Sequence, residues 1–164
     1  MIRVLLVDDD ALVREGVRLI IENQADLTVV DEAADGHAAL RMVEQHEPDV
    51  ALVDIRMPGM TGIELTRRLC ARSTARPAVV VLTTFDEDEY VFEALASGAI
   101  GFLLKSGPAQ HLLTAIRMAA DGDVLLAPAV TKRLIARHLD ERARQSHGPN
   151  VPALSTRERD VLRC

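Results

Sequence analysis

Aromatic side chains are nearly missing from this chain of 164 residues, which has three Phe, one Tyr and no Trp. Apolar residues still make up 48% of it, enough for a sizeable core, so that core must be built from Val, Leu, Ile and Ala. Cysteine is scarce as well. Cys70 and Cys164 lie far apart and form no CxxC pair, which argues against a thiolate metal site or a dithiol redox motif and suits a reducing compartment. His37, His46, His111, His138 and His147 show no ligand-like spacing, and surface histidine is their ordinary explanation. No run of about 18 apolar residues occurs, and residues 1–7 lead straight into an acidic triplet instead of a signal-peptide core. A cytoplasmic protein with no membrane contact is expected.

Charge is present but unevenly spread. The net charge of −6 divides into eight Lys/Arg against four Asp/Glu over residues 131–164, and eleven against twenty-one over residues 1–130. An acidic body with a basic tail fits a regulatory domain leading into a nucleic-acid-binding one, although a solvated basic helix has the same composition.

Residues 3–121 alternate short aliphatic runs with amphipathic stretches. The spacing predicts strands at 3–7, 27–33, 49–53, 78–83 and 100–104, each followed by a helix, at 11–23, 36–46, 62–72, 87–98 and 108–121. Pro108 suits a first helical turn, and Gly98 and Gly122 stand where helices commonly stop. Five consecutive βα units imply a doubly wound, five-stranded parallel sheet of the α/β class, with helices on both faces. Beyond Gly122, residues 127–143 read as one more helix, and residues 144–153 as a polar linker with two prolines and a glycine. Ser155 and Glu158 form a capping box that opens a further helix.

In such a sheet, ligands bind at the carboxyl ends of the strands. The polar residues collect there: Asp8, Asp9 and Asp10 after the first strand, Asp54 after the third, Thr83 and Thr84 at the fourth, Lys105 after the fifth. Taken singly, an aspartate at a strand end is usually a turn or N-cap residue, and a lysine there is usually solvated. Together they are more specific. Several carboxylates in one place repel, and a divalent cation relieves that repulsion; oxygen-only ligands favour Mg²⁺ or Mn²⁺ and leave coordination positions open for a phosphoryl donor. A carboxylate can then attack phosphorus, with an ammonium and a hydroxyl meeting the charge on the transferred group.

The segments VLLVDDD, LVDIRMPGMTGIEL, VVVLTT and GAIGFLLK resemble the four motifs of response-regulator receivers and span residues 1 to about 121. The resemblance implies a flavodoxin-like receiver with strand order 2-1-3-4-5 and residues 1–122 as the phosphoacceptor domain. It implies Asp54 as the phosphoacceptor and Asp8 and Asp9 as acidic-pocket residues around Mg²⁺, with Asp9 the direct ligand and Arg56 lending its backbone carbonyl. Thr83 becomes the switch hydroxyl, Phe102 the switch aromatic and Lys105 the phosphate partner, while Pro58 and Gly59 shape the turn after the nucleophile. Many receivers carry a cis proline after the lysine; here Ser106 follows, and a non-proline cis bond costs roughly 2.5–4 kcal/mol, so the cis geometry is not carried over and the peptide geometry after Lys105 stays open.

The string LSTRERDVL at 154–162 resembles the opening of the LuxR-type helix-turn-helix of the NarL/FixJ subgroup. By that reading, residues 123–153 are a helical extension and linker, and 154–164 begin a DNA-binding domain whose base-reading helix is not in this chain. The implied partners are a sensor histidine kinase, a second copy on phosphorylation, and promoter DNA for a complete protein but not specifically for this chain. Leu12, Val13, Leu112 and Ile116 are apolar candidates for a dimer face on the first and fifth helices, and equally for the core. The expected role is a signalling switch that assists its own phosphotransfer and dephosphorylation. Two other functions share features with it: a Mg²⁺-dependent aspartyl-phosphate phosphatase of the haloacid dehalogenase type, and a stand-alone receiver acting through protein contacts. The first would place its nucleophile after the first strand and need a cap; the second is opposed by LSTRERDVL.

Overall fold

The structure is a computed structural model that describes residues 1–84, 88–123, 125–126 and 128–146. In chain order its elements are β1 (Ile2–Val7), α1 (Ala11–Glu22), β2 (Leu27–Ala33), α2 (Gly36–His46), β3 (Val50–Val53), α3 (Gly62–Cys70), β4 (Ala78–Thr83), α4 (Asp88–Ala96), β5 (Gly101–Leu104), α5 (Ala109–Ala120), β6 (Leu125–Leu126) and α6 (Pro128–Ser146). The strands are all parallel and lie in the order β2-β1-β3-β4-β5-β6. The expected five-strand order 2-1-3-4-5 is therefore present, with a two-residue sixth strand added at the β5 edge. The chain forms two compact units, Met1–Val130 and Thr131–Cys164.

The helices begin where side chains can satisfy their free N–H groups. Asp10 accepts from Leu12 N at 2.9 Å, Asp35 from Ala38 N at 2.8 Å, and Thr61 from Glu64 N at 3.2 Å. Pro108 occupies the cap position of α5, one residue before the first turn expected for it. The chain leaves α4 and α5 through Gly98 and Gly122, both at positive φ.

Alternation along the strands divides the core into two layers. Val4, Leu6, Val50, Leu52, Val80 and Leu82 pack with Ile21 of α1 and with Leu112, Leu113 and Ile116 of α5. Leu5, Val53, Val79, Val81 and Phe102 alternate with these and are fully buried as well. The strands are covered on both faces and hence run almost uninterrupted in apolar residues up to their carboxyl ends.

The second unit is described through residue 146, all of it helical. Ile135 and Leu139 are exposed, and Arg137 pairs with Glu141 one turn on at 3.3 Å. The linker read at 144–153 thus begins inside α6. Residues 147–153 of it, the capping box and the whole of LSTRERDVL lie outside the described residues.

Candidate functional site

Strand register builds the site. Val7 pairs with Val53, so Asp8 and Asp54, the next residues, leave neighbouring strands at the same height. Thr83 pairs with Leu104, and Lys105 N donates to Thr83 O at 2.8 Å, which sets Lys105 beside the same edge. Asp8 and Asp54 are each only 6% exposed, and Thr83 is fully buried.

The acidic triplet divides its labour. One carboxylate oxygen each from Asp8, Asp9 and Asp54 lie within 4.8 Å of one another. Asp10, the third member, turns away to cap α1. Lys105 Nζ stands 2.5 Å from Asp8 Oδ2 and 3.5 Å from Asp54 Oδ1, and the other oxygen of Asp8 accepts from Asp10 N at 2.9 Å. One ammonium thus pairs with two of the three carboxylates. Burial pushes the Asp54 carboxyl above its ordinary value and the Asp8 charge adds to this, against the pull of Lys105 and of a hydrogen bond with Thr83. A hard divalent cation fits such a donor set, because its charge would offset the burial and the Asp8 repulsion that disfavour an ionised Asp54.

The loop after Asp54 is pressed close to it. Gly62 N donates to Ile55 O at 2.8 Å, and a Cβ at Gly62 would lie 1.9 Å from the carbonyl oxygen of Asp54. Only glycine lets α3 start this near Asp54. The exposed Arg56 reaches α4, where Nη2 meets the Tyr90 hydroxyl at 3.2 Å and the guanidinium lies 5.6 Å from the ring centre. Beside them opens a groove of about 550 Å³ lined by Asp9, Arg56, Thr61, Glu64 and Tyr90 among others, room enough for a small phosphodonor to approach. Phe102 sits on β5 with no exposed surface. The Lys105–Ser106 bond is trans; the cis bond among the described residues is Arg76–Pro77.

The four apolar residues offered as a dimer face do not share a surface. Leu12 is 78% exposed, whereas Leu112 at 6% and Ile116 at 0% are core residues. Val13 is half-buried and, with Leu112, lines a groove of about 330 Å³ between α1 and the start of α5. Of the four, Leu12 alone is well exposed, and the α5 stripe is spent on the sheet.

Sequence reasoning missed three contributors: Gly62, Tyr90 and an Arg14–Glu32 pair that reaches Asp8. Gly62 had a legible signal, a glycine opening a helix eight residues after the nucleophile. The other two depend on which elements become neighbours in space.

Comparison with known proteins agrees with this geometry. The family model described as the response regulator receiver domain matches residues 4–117. The chain is 38% identical over 160 residues to the nitrate/nitrite response regulator protein NarL of Escherichia coli K12, covering 98% of this chain and 73% of that one. It is likewise 38% identical over 164 residues to the transcriptional regulatory protein LiaR of Bacillus subtilis strain 168, covering 99% and 75%. Among solved structures, a LuxR-family two-component response regulator from Aurantimonas sp. SI85-9A1 superposes with a TM-score of 0.78 at 31% identity, covering 84% of this chain and 97% of that one. The signal receiver domain of NarL from Mycobacterium tuberculosis gives 0.69 at 41% identity, covering 74% and 97%.

Proposed function

This chain belongs to the response-regulator receiver family, its relatives being transcriptional response regulators of the NarL/LuxR type, and from that premise we propose that Asp54 accepts a phosphoryl group from a sensor histidine kinase. The observation that carries the proposal is the gathering of Asp8, Asp9 and Asp54 within 4.8 Å, with Lys105 paired to Asp8 and Asp54.

In the reaction an oxygen of Asp54 attacks phosphorus while the bond from phosphorus to the donor imidazole breaks, and the imidazole departs carrying a proton. Asp8, Asp9, Asp54 and the carbonyl of Arg56 would hold Mg²⁺, or Mn²⁺ in its place, which supplies positive charge opposite the developing charge of the transferred group. Lys105 provides a second cation and moves from the carboxylates to the phosphoryl oxygens. Thr83 follows with its hydroxyl, and Phe102 takes up the space this leaves, so that the surface of β4, α4 and β5 changes. A second copy then docks through Leu12 and the groove beside Val13; in a complete protein the dimer would present a DNA-binding domain to promoter DNA, which this chain, without the base-reading helix, would not bind specifically. The protein is a signalling switch in the cytoplasm, with residues 1–122 as receiver and 123–153 as connector.

Intact mass after incubation with Mg²⁺ and acetyl phosphate tests the reading. One phosphoryl adduct, absent without Mg²⁺ and absent in Asp54→Asn, is expected. Steady hydrolysis of phosphate monoesters with no stoichiometric adduct would replace this function with that of a phosphatase. Light scattering with beryllofluoride checks the dimer: a monomer that stays a monomer rules that step out.

A further inference from the structure

Arg14 lies on α1, away from the four strand ends, yet its guanidinium is drawn to the acidic loop. Its side chain is only 19% exposed. Nη1 donates to the backbone carbonyl of Asp8 at 2.6 Å, a short, charge-assisted bond, and Nε lies 3.6 Å from Glu32 Oε1. Glu32, on β2, is held from the next turn of α1 by Arg18 as well. Burying a guanidinium costs free energy unless its donors are met; here Nη1 meets a peptide oxygen, while Nε is buried without a hydrogen bond and is compensated by the charge of Glu32 alone.

The carbonyl involved belongs to the peptide that joins Asp8 to Asp9. The peptide is planar, so fixing its oxygen fixes the direction in which Asp9 departs. On the other side of Asp8, its amide donates to Ala33 O of β2 at 3.1 Å. The turn carrying two of the three carboxylates is thus tied to β2 twice, once directly and once through Arg14 and Glu32.

We propose that Arg14 is a positioning residue for the cation site: by holding the Asp8–Asp9 peptide against Glu32, it keeps the Asp9 carboxylate in reach of those of Asp8 and Asp54. This deepens the proposed function and rests on it. It makes a prediction opposite in sign to simple electrostatics. A positive side chain beside an acidic site repels a cation, so its removal by charge alone would tighten metal binding. Removal of a residue that orients the ligands weakens it, typically by 10-fold or more.

The test is Mn²⁺ binding to the whole unphosphorylated chain, read from the paramagnetic resonance of free Mn²⁺. Arg14→Ala is expected to bind Mn²⁺ roughly 10-fold more weakly than wild type. Arg14→Lys, which retains one donor for the carbonyl, is expected to recover part of the loss. Glu32→Gln, which loosens the anchor without touching the acidic turn, should fall between Arg14→Ala and wild type and serves if Arg14→Ala does not fold. Arg18→Ala removes an equal charge from the same glutamate and is expected to stay within about 2-fold of wild type, since Arg18 does not bond the Asp8 carbonyl. Unchanged or tighter binding in folded Arg14→Ala overturns this inference and leaves the proposed function standing. A wild-type chain that binds no Mn²⁺ overturns both.

Discussion

The two ends of the sheet both carry aspartates next to basic residues, and they treat them in opposite ways. At the amino end, Asp26 before β2 receives a two-pronged bond from Arg117 at 2.8 and 2.9 Å, and its carboxyl is held below the ordinary value by that guanidinium. Asp49 before β3 pairs with Arg76, which is itself largely exposed, and takes a bond from Arg3 N. Each carboxylate there has its own arginine. At the carboxyl end, burial drives the Asp54 carboxyl upward, and Asp8 and Asp54 share Lys105 with Asp9 close beside them. One end is neutralised and the other is left short of positive charge. That shortage favours a cation at the carboxyl end, and under the proposed function such a cation would in turn favour the transferred dianionic group.

The contrast can be broken first by steric means. Gly62→Val puts carbon where the Asp54 carbonyl oxygen stands, so α3 must retreat; a destabilisation of about 3 kcal/mol or more, together with loss of the phosphoryl adduct, is expected from denaturant unfolding and intact mass. Wild-type adduct yield in this variant would mean that the tight approach of α3 does not matter to the site.

A smaller effect sharpens the electrostatic half. In the metal-free protein the raised Asp54 pKa means that the folded state holds a proton more tightly than the unfolded chain. Stability therefore falls as pH rises from the ordinary aspartate value of 3.8 through the raised one, and the cost persists at neutral pH. Asp54→Asn is expected to melt a few degrees higher than wild type at pH 7, with the gain disappearing as pH falls through that window. A variant that melts lower at pH 7 would show that Asp54 is already neutralised.

The smallest change is predicted at the other end. Arg76→Ala removes an exposed partner of Asp49 and is expected to cost less than about 1 kcal/mol, with Mn²⁺ affinity unaltered. A change in metal binding would erase the distinction between the ends.

The five main strands were legible because each is an aliphatic run bounded by polar or glycine-rich turns, with the sheet's chemistry packed into the residue just past the run. Asp8, Asp54, Thr83 and Lys105 could be named for that reason: in a parallel sheet, the end of a strand is a known place. β6 was not legible, since Leu125 and Leu126 carry too few residues to show a period and depend on β5 for their pairing. The α5 stripe stayed ambiguous for a related reason. Apolar spacing identifies a helix face but does not say whether a sheet or another chain covers it, and Leu112 and Ile116 went to the sheet. Asp10 was grouped with its neighbours because the cap it forms is a matter of backbone direction. Arg14 and Glu32 are 18 positions apart, and nothing in their own segments announces that α1 and β2 bring them together at Asp8.

Both ends can be followed at once by recording backbone amide resonances of the metal-free chain during a Mg²⁺ titration. Saturable shifts are expected at Asp8, Asp9, Asp54 and Lys105 while the amides of Asp26, Asp49 and Arg117 stay in place; shifts of equal size at both ends, or none at the carboxyl end, would contradict the account.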